Sequence, residues 1–300
     1  MTKLERRETL KGYAFISPYL VGFLCFTLFP LGFSLYSSFT YYDMTSIQKW
    51  VGLFNYTYIL TKDDNFVKAL SNTFYYVAFS VPMVIVIALM LALMMNMRIY
   101  FARVFRTLYY LPSILSGVAV ILLWQWIFEP NDGLLNNLLA VVGIRGPAWL
   151  RDPLFTKPAL IIMRLWSTGG TMVLFLAALQ NVPQDLYDAG DIDGAVGWKR
   201  FRYITLPMIS PTMLFVMTTG IIYAFQIFDS AYLLGGSGGT GGPGKSLLFY
   251  NLYLYYTAIR DFRMGYACAL AWILFVIILA FTLTQMKLSE RWVHYEGGDV

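Results

Sequence analysis

The stretch from Asn181 to Pro211, NVPQDLYDAGDIDGAVGWKRFRYITLPMISP, is the one long polar island in an apolar chain, and the fold can be read outward from it. Asn181 and Pro183 open a helix, with Asp185 in the first turn, where the helix dipole favours negative charge. Gly190 weakens that helix, and Asp193-Gly194 ends it in a turn. A second helix is expected from about Val196 toward Leu206, with Trp198 and Phe201 at i, i+3 on one face and Lys199, Arg200 and Arg202 around them. Pro207 and Pro211 are expected to stop it before the next apolar run. Two short amphipathic helices around an Asp-Gly elbow make a compact knob, suited to being gripped from outside a membrane rather than to catalysis. Loops longer than roughly 12–15 residues are uncommon without a function.

The rest of the chain explains why a membrane enters the argument. Hydrophobic residues make up 58% of the 300 and charged residues only 13%, against about 25% charged in soluble domains. The net charge of +5 has no basic cluster on a separate polar domain that could hold a nucleic acid. Cys25 and Cys268 both fall inside apolar runs, which excludes a disulfide framework or a paired-cysteine metal site. His294 is the only histidine, so a zinc site or a Ser-His-Asp arrangement is close to excluded.

Six apolar spans are expected, at about 13–36, 71–95, 108–128, 158–178, 208–228 and 265–286, forming an all-α membrane protein whose single domain covers 1–300. The first follows Lys3, Arg6, Arg7 and Lys11. It is too long for a signal peptide and lacks a small-residue cleavage site. Pro82 sits inside the second span, and Trp124, Trp126 and Phe128 close the third as an interface belt would. The termini, the connection holding Arg98, Arg103 and Arg106, and the knob carry roughly twelve Lys and Arg in some 65 residues. The other three loops carry about nine in some 94. Basic density therefore places both termini and the 181–207 loop in the cytoplasm.

The row Asp188-Ala189-Gly190, three residues, Gly194, nine residues, then Ile204, Thr205, Leu206 and Pro207 resembles the EAA loop of permease subunits in binding-protein-dependent ABC importers. Asp188 stands where Glu is usual and Gly190 where the second Ala is usual, the latter at about 1 kcal/mol of local helix stability. FLCFTLFPLGFSLYSSFTYYD, WVGLFNYTYIL, ALSNTFYYVAFSVP, LYYLPSILSGVAVILLWQWIFEPNDGLLN and GGPGKSLLFYNLYLYYTAIRDFRMGYACAL are similar, in this order, to segments of the carbohydrate-uptake branch. The resemblance implies a type I importer permease for a sugar or related polyol, located in a bacterial-type plasma membrane. Its implied partners are a second homologous permease, two ATPase subunits and an extracytoplasmic solute-binding protein. No cofactor would be bound by this chain, and ATP and magnesium would sit on the ATPase. The coupling residues carried over are Asp188, Ala189, Gly190, Asp193, Gly194, Ile204, Leu206 and Pro207.

Gly239 to Ser246 matches the phosphate-loop pattern GxxxxGK[ST] to the letter. That pattern needs a strand before it, a helix after it and a second acidic strand for magnesium. Between two spans it reads instead as a flexible turn. The six spans lack Asp and Glu, which disfavours a secondary carrier or channel working without ATP. The lone histidine disfavours a membrane-embedded enzyme. Arg164 is the one charge well inside a span, about 10 Å in from Lys157. It can snorkel outward, pair across an interface, or form a polar wall of a translocation path beside Trp166 and the small cluster Ser167 to Thr171. Asp229, Asn251, Tyr253, Tyr255 and Tyr256 are sugar-binding candidates, with an interfacial aromatic belt as the plainer reading. Ala267 and Ala271 read as a helix contact.

Overall fold

In hydrocarbon every backbone N–H and C=O must be satisfied within its own segment, so apolar runs of this length fold as helices. The computed structural model describes residues 3–45, 47–97, 100–235 and 241–294. Its helices in chain order are α1 (Lys3–Phe23), α2 (Phe29–Ser38), α3 (Phe54–Lys62), α4 (Asp64–Asn96), α5 (Ala102–Ile114), α6 (Gly117–Ile127), α7 (Leu134–Val141) and α8 (Thr156–Trp166). They continue as α9 (Gly169–Gln180), α10 (Gln184–Ile192), α11 (Trp198–Arg200), α12 (Leu206–Met208), α13 (Ser210–Phe225), α14 (Asp229–Leu234), α15 (Tyr250–Tyr255) and α16 (Met264–Ser289). Among the described residues four helical stretches are long and apolar enough to cross a membrane, Lys11–Ser38, Asp64–Asn96, Ser210–Leu234 and Met264–Ser289. The count is six if the bent pairs α5/α6 and α8/α9 each make one crossing.

The chain divides into two compact units, one of residues 1–63 with 254–275 and one of 64–253 with 276–300. In the smaller unit, α1 and α2 are joined by a π-helical stretch, Leu24–Leu28. A two-residue antiparallel pair, Thr40–Tyr41 on Lys49–Trp50, comes next. Buried Asn55 pins the chain there, donating to the Ser38 and Thr40 carbonyls at 2.9 and 3.0 Å. Gly265, at the start of α16, passes so close to the Thr40 carbonyl that a Cβ has no room. Ala267 is buried and Ala271 half-buried.

In the larger unit α4 is the central helix, packed by α8, α9 and α13. Ala88 and Ala92, four apart, are fully buried and let Met172, Phe175 and Ile209 close in. α4 runs through Pro82 without a break. The third and fourth apolar runs are broken. α5 and α6 meet at 99° across Leu115 and Ser116, whose backbones are extended, and α8 and α9 meet at 48°. Pro112 and the Ser116-Gly117 pair supply the usual chemistry of such a kink.

One expectation is corrected here. Trp124 and Phe128 are not an interface belt: both are buried, in an aromatic cluster with Trp166 and Trp149, while Trp126 alone of the three is exposed. Beyond the expected turn at Gly239 to Ser246 the chain is packed: Leu247, Phe249, Tyr250 and Leu252 are fully buried. Asn72 of α4 holds it, donating to the carbonyls of Lys245 and Leu248 at 2.8 and 3.0 Å. Gly239 and Thr240, the first two positions of the phosphate-loop match, lie outside the described residues. Helix α14 precedes the segment where a strand would be required, Lys245 Nζ donates to Asn65 at 2.6 Å, and Ser246 is buried on Thr156 at 2.8 Å.

Candidate functional site

The larger unit carries two features with functional shape, a knob and a pair of cavities. In the knob, Pro183 caps α10 with Asp185 in its first turn, and Gln184 donates to Asp188 across one turn at 3.0 Å. Asp193 ends the helix, and Gly194 turns the chain at φ +71° with open space around it, so the backbone angle and not crowding requires glycine there. A second reversal, at Gly197 with φ +57°, lies outside the sequence expectation. It delays the second helix to Trp198, leaving Val196 in the turn. The helix is also not stopped by Pro207. A π-helical stretch, Phe201–Thr205, lets Leu206 donate to Phe201 five residues back, and Pro207 then falls at the start of α12, where its missing N–H is harmless.

The two halves of the knob are stapled together. Asp191 pairs with Arg200, Tyr187 shares a hydrogen bond with Thr205 at 3.3 Å, and the Arg200 guanidinium lies over the Tyr187 ring. Buried Gly190 faces Ile204. Asp188 and Ala189 are exposed, Leu206 and Pro207 half-buried. On the outside of this staple Ile192, Val196, Trp198 and Tyr203 are 88%, 63%, 73% and 72% exposed. Four large apolar side chains exposed in a polar element are the kind of feature that marks interaction sites.

The cavities lie between α4, α5, α6, α8, α9 and α13. The larger holds about 690 Å³ and the other about 430 Å³, and they share a wall that includes Gly117, Val120, Ser167, Tyr223 and Arg164. Arg164 is exposed into both. Among the described residues no carboxylate lies within ion-pair distance of it. Holding an arginine at the middle of a span costs about 2.5–3.5 kcal/mol on insertion scales. The small cluster splits its work. Ser167, Gly170 and Thr171 line the larger cavity, while Gly169 abuts the Tyr109 carbonyl and lets α9 pack on α5.

Asp229 lines the smaller cavity, in the first turn of α14. The other path candidates are elsewhere. Trp166 does not line either cavity; two residues on from Arg164 it is turned about 200° around the helix, and it packs edge-on against Trp124 at 5.9 Å. Asn251 donates to the Gln226 carbonyl at 3.1 Å, behind a cavity residue rather than on the wall. Tyr253 is buried in the core. Tyr255 belongs to the smaller unit, with its ring 6.1 Å from that of buried Tyr256. Sequence reasoning missed Tyr76, Tyr223 and Gln226 on the cavity walls.

Residues 51–294 match the family of binding-protein-dependent transport system inner membrane components. The chain belongs to that family. It is therefore a multi-pass membrane transport subunit and not an enzyme. It is 43% identical over 294 residues to a probable ABC transporter permease, YesP, of Bacillus subtilis, covering 97% of this chain and 94% of that one. It is 35% identical to the lactose transport system permease LacF of Rhizobium radiobacter, covering 97% of each. Among solved structures, a bacterial ABC transporter involved in import of the acidic polysaccharide alginate superimposes with a TM-score of 0.78. That match has 25% identity and covers 95% of this chain and 96% of that one.

Proposed function

We propose that this chain is one of two homologous permease subunits of an ATP-driven saccharide importer, and that the cavities at Arg164 are part of its translocation path. The observation that carries the reading is the knob. Its outer face is apolar and exposed, its two halves are locked to each other, and its second helix runs into α13, which lines the larger cavity. In the cytoplasm one of two ATPase subunits carrying ATP and magnesium would dock on that face, through Asp188, Ala189, Asp193 and the exposed apolar residues. Gly190, Gly194, Ile204, Leu206 and Pro207 shape the knob rather than touch the partner. Closure of the ATPases would draw the paired knobs together and open the path outward. A solute-binding protein would then deliver its cargo, and hydrolysis would reset the cycle. Lactose, arabinooligosaccharide and trehalose/maltose permeases among the relatives support the saccharide class.

The test is uptake into vesicles holding the chain with its partner permease and ATPase. Accumulation of a saccharide should require both ATP inside and the loaded binding protein outside. Uptake that persists without either overturns the reading.

A further inference from the structure

Arg164 projects into the wall shared by both cavities, and in the larger one it is the only charged side chain among the described lining residues. The other polar groups there are hydroxyls, among them Ser80, Ser113, Ser167, Thr171, Thr219 and Tyr223. Asp229 lines only the smaller cavity, beyond ion-pair reach of Arg164. A guanidinium held within a membrane span needs a counter-charge, an aqueous exit or a solute. Its exposure is into the cavities, and no described carboxylate answers it.

We propose that the solute carried along this path is anionic, a saccharide bearing carboxylates. Arg164 would take one sugar carboxylate in a two-bond fork, and the surrounding hydroxyls would exchange hydrogen bonds with the ring hydroxyls. A single guanidinium matches a carboxylate of charge −1 better than a phosphate monoester, which carries about −1.5 to −2 and calls for a second cation. Asp229 would push the same carboxylate away from the smaller cavity and toward Arg164. A cavity of about 690 Å³ lies within the usual 300–1,000 Å³ of small-ligand sites. This inference rests on the importer reading.

The experiment uses the complete complex in vesicles and two matched probes, a hexuronate disaccharide and the same disaccharide with its carboxyls reduced to alcohols. Wild type should take up the acid in preference. Arg164→Gln should lower the acid-to-neutral uptake ratio about tenfold, the size expected for one charge-assisted hydrogen-bonded contact, and Arg164→Lys should fall between. Preference of the wild type for the reduced sugar overturns the proposal. So does an Arg164→Gln variant that slows both sugars alike, which would mark Arg164 as an ion-pair partner of the second permease. If the glutamine variant fails to assemble, the wild-type preference and the lysine variant decide. Uptake of either sugar without ATP would instead overturn the importer reading itself.

Discussion

Gly190 forms the seat for Ile204: a Cβ built on the glycine would stand 2.5 Å from the Ile204 Cδ1. The position that looks like a weak point in α10 is therefore a packing contact between the two halves of the knob. Restoring alanine would gain about 1 kcal/mol of helix propensity and displace only the free end of one isoleucine. Gly190→Ala should leave transport within about twofold of wild type, the two effects nearly cancelling within RT. Gly190→Leu should separate the halves and abolish solute-stimulated ATP hydrolysis in a complex that still reaches the membrane. Equal activity of both variants would show that the seat does not matter.

Gly194 and Ala189 separate shape from contact. With φ at +71°, Gly194→Leu should strain the elbow by roughly 1–2 kcal/mol and misplace α11. Ala189→Glu should keep the fold and obstruct the docking face. Both should lose transport and solute-stimulated hydrolysis together, and co-purification should show the ATPase leaving the Ala189→Glu complex more readily. Wild-type transport in both would remove the knob from the coupling mechanism.

Lys245 is tied to Asn65 in an exposed contact. Exposed polar pairs are worth about 0.2–1 kcal/mol, so Lys245→Ala should leave ATP hydrolysis by the complex within about threefold of wild type. A severe loss of hydrolysis in an assembled complex would restore the phosphate-loop reading.

Gly169 abuts the Tyr109 carbonyl with no space for a side chain. Because the obstacle is backbone, Gly169→Val should force α9 away from α5 and destabilise the protein by about 1–3 kcal/mol. Thermal unfolding of the purified complex in detergent measures this directly. An unchanged midpoint would mean the two helices do not pack as described.

Membrane orientation is open to cysteine labelling in a background free of Cys25 and Cys268. A cysteine near Gln184 and a reporter fused after Val300 should be reached only from the cytoplasm, and a cysteine near Gly241 only from outside. The reverse pattern would contradict the basic-residue bias.

How much could be read from sequence depends on the range of the interactions. The elbow at Asp193-Gly194 and the start of α10 are set by neighbouring residues, and the helix ends within a residue of the expected place. The π-helical stretch ahead of Pro207 has no distinctive composition, because the shift from four to five residues is decided by packing. Leu247 to Leu252 escapes a sequence reading for a different reason. A Gly-rich run predicts a turn, whereas the burial of the segment beyond it depends on Asn72, more than 170 residues earlier in the chain. Arg164 stands out because a charge in an apolar run has few places to go. Trp166 could have been set aside from helical geometry alone. Tyr76 and Tyr223 could not have been found that way, since which face of a long apolar helix meets a cavity is settled by its neighbours.

The π-helical stretch at Phe201–Thr205 has a mechanical consequence. From Trp198 to Phe225 the chain is helical except at Ile209, where the backbone leaves helical angles for one residue. There is no slack tether between the outer face of the knob and the part of α13 that carries Phe215, Thr219 and Tyr223. At 1.5 Å per residue the helical path from Trp198 to Tyr223 is roughly 35–40 Å long. A push at Trp198 can be absorbed only by flexing at Ile209 or by turning the cavity wall. Stiffening that joint would make the lever more direct, and loosening it would let the knob swing while the wall stayed still.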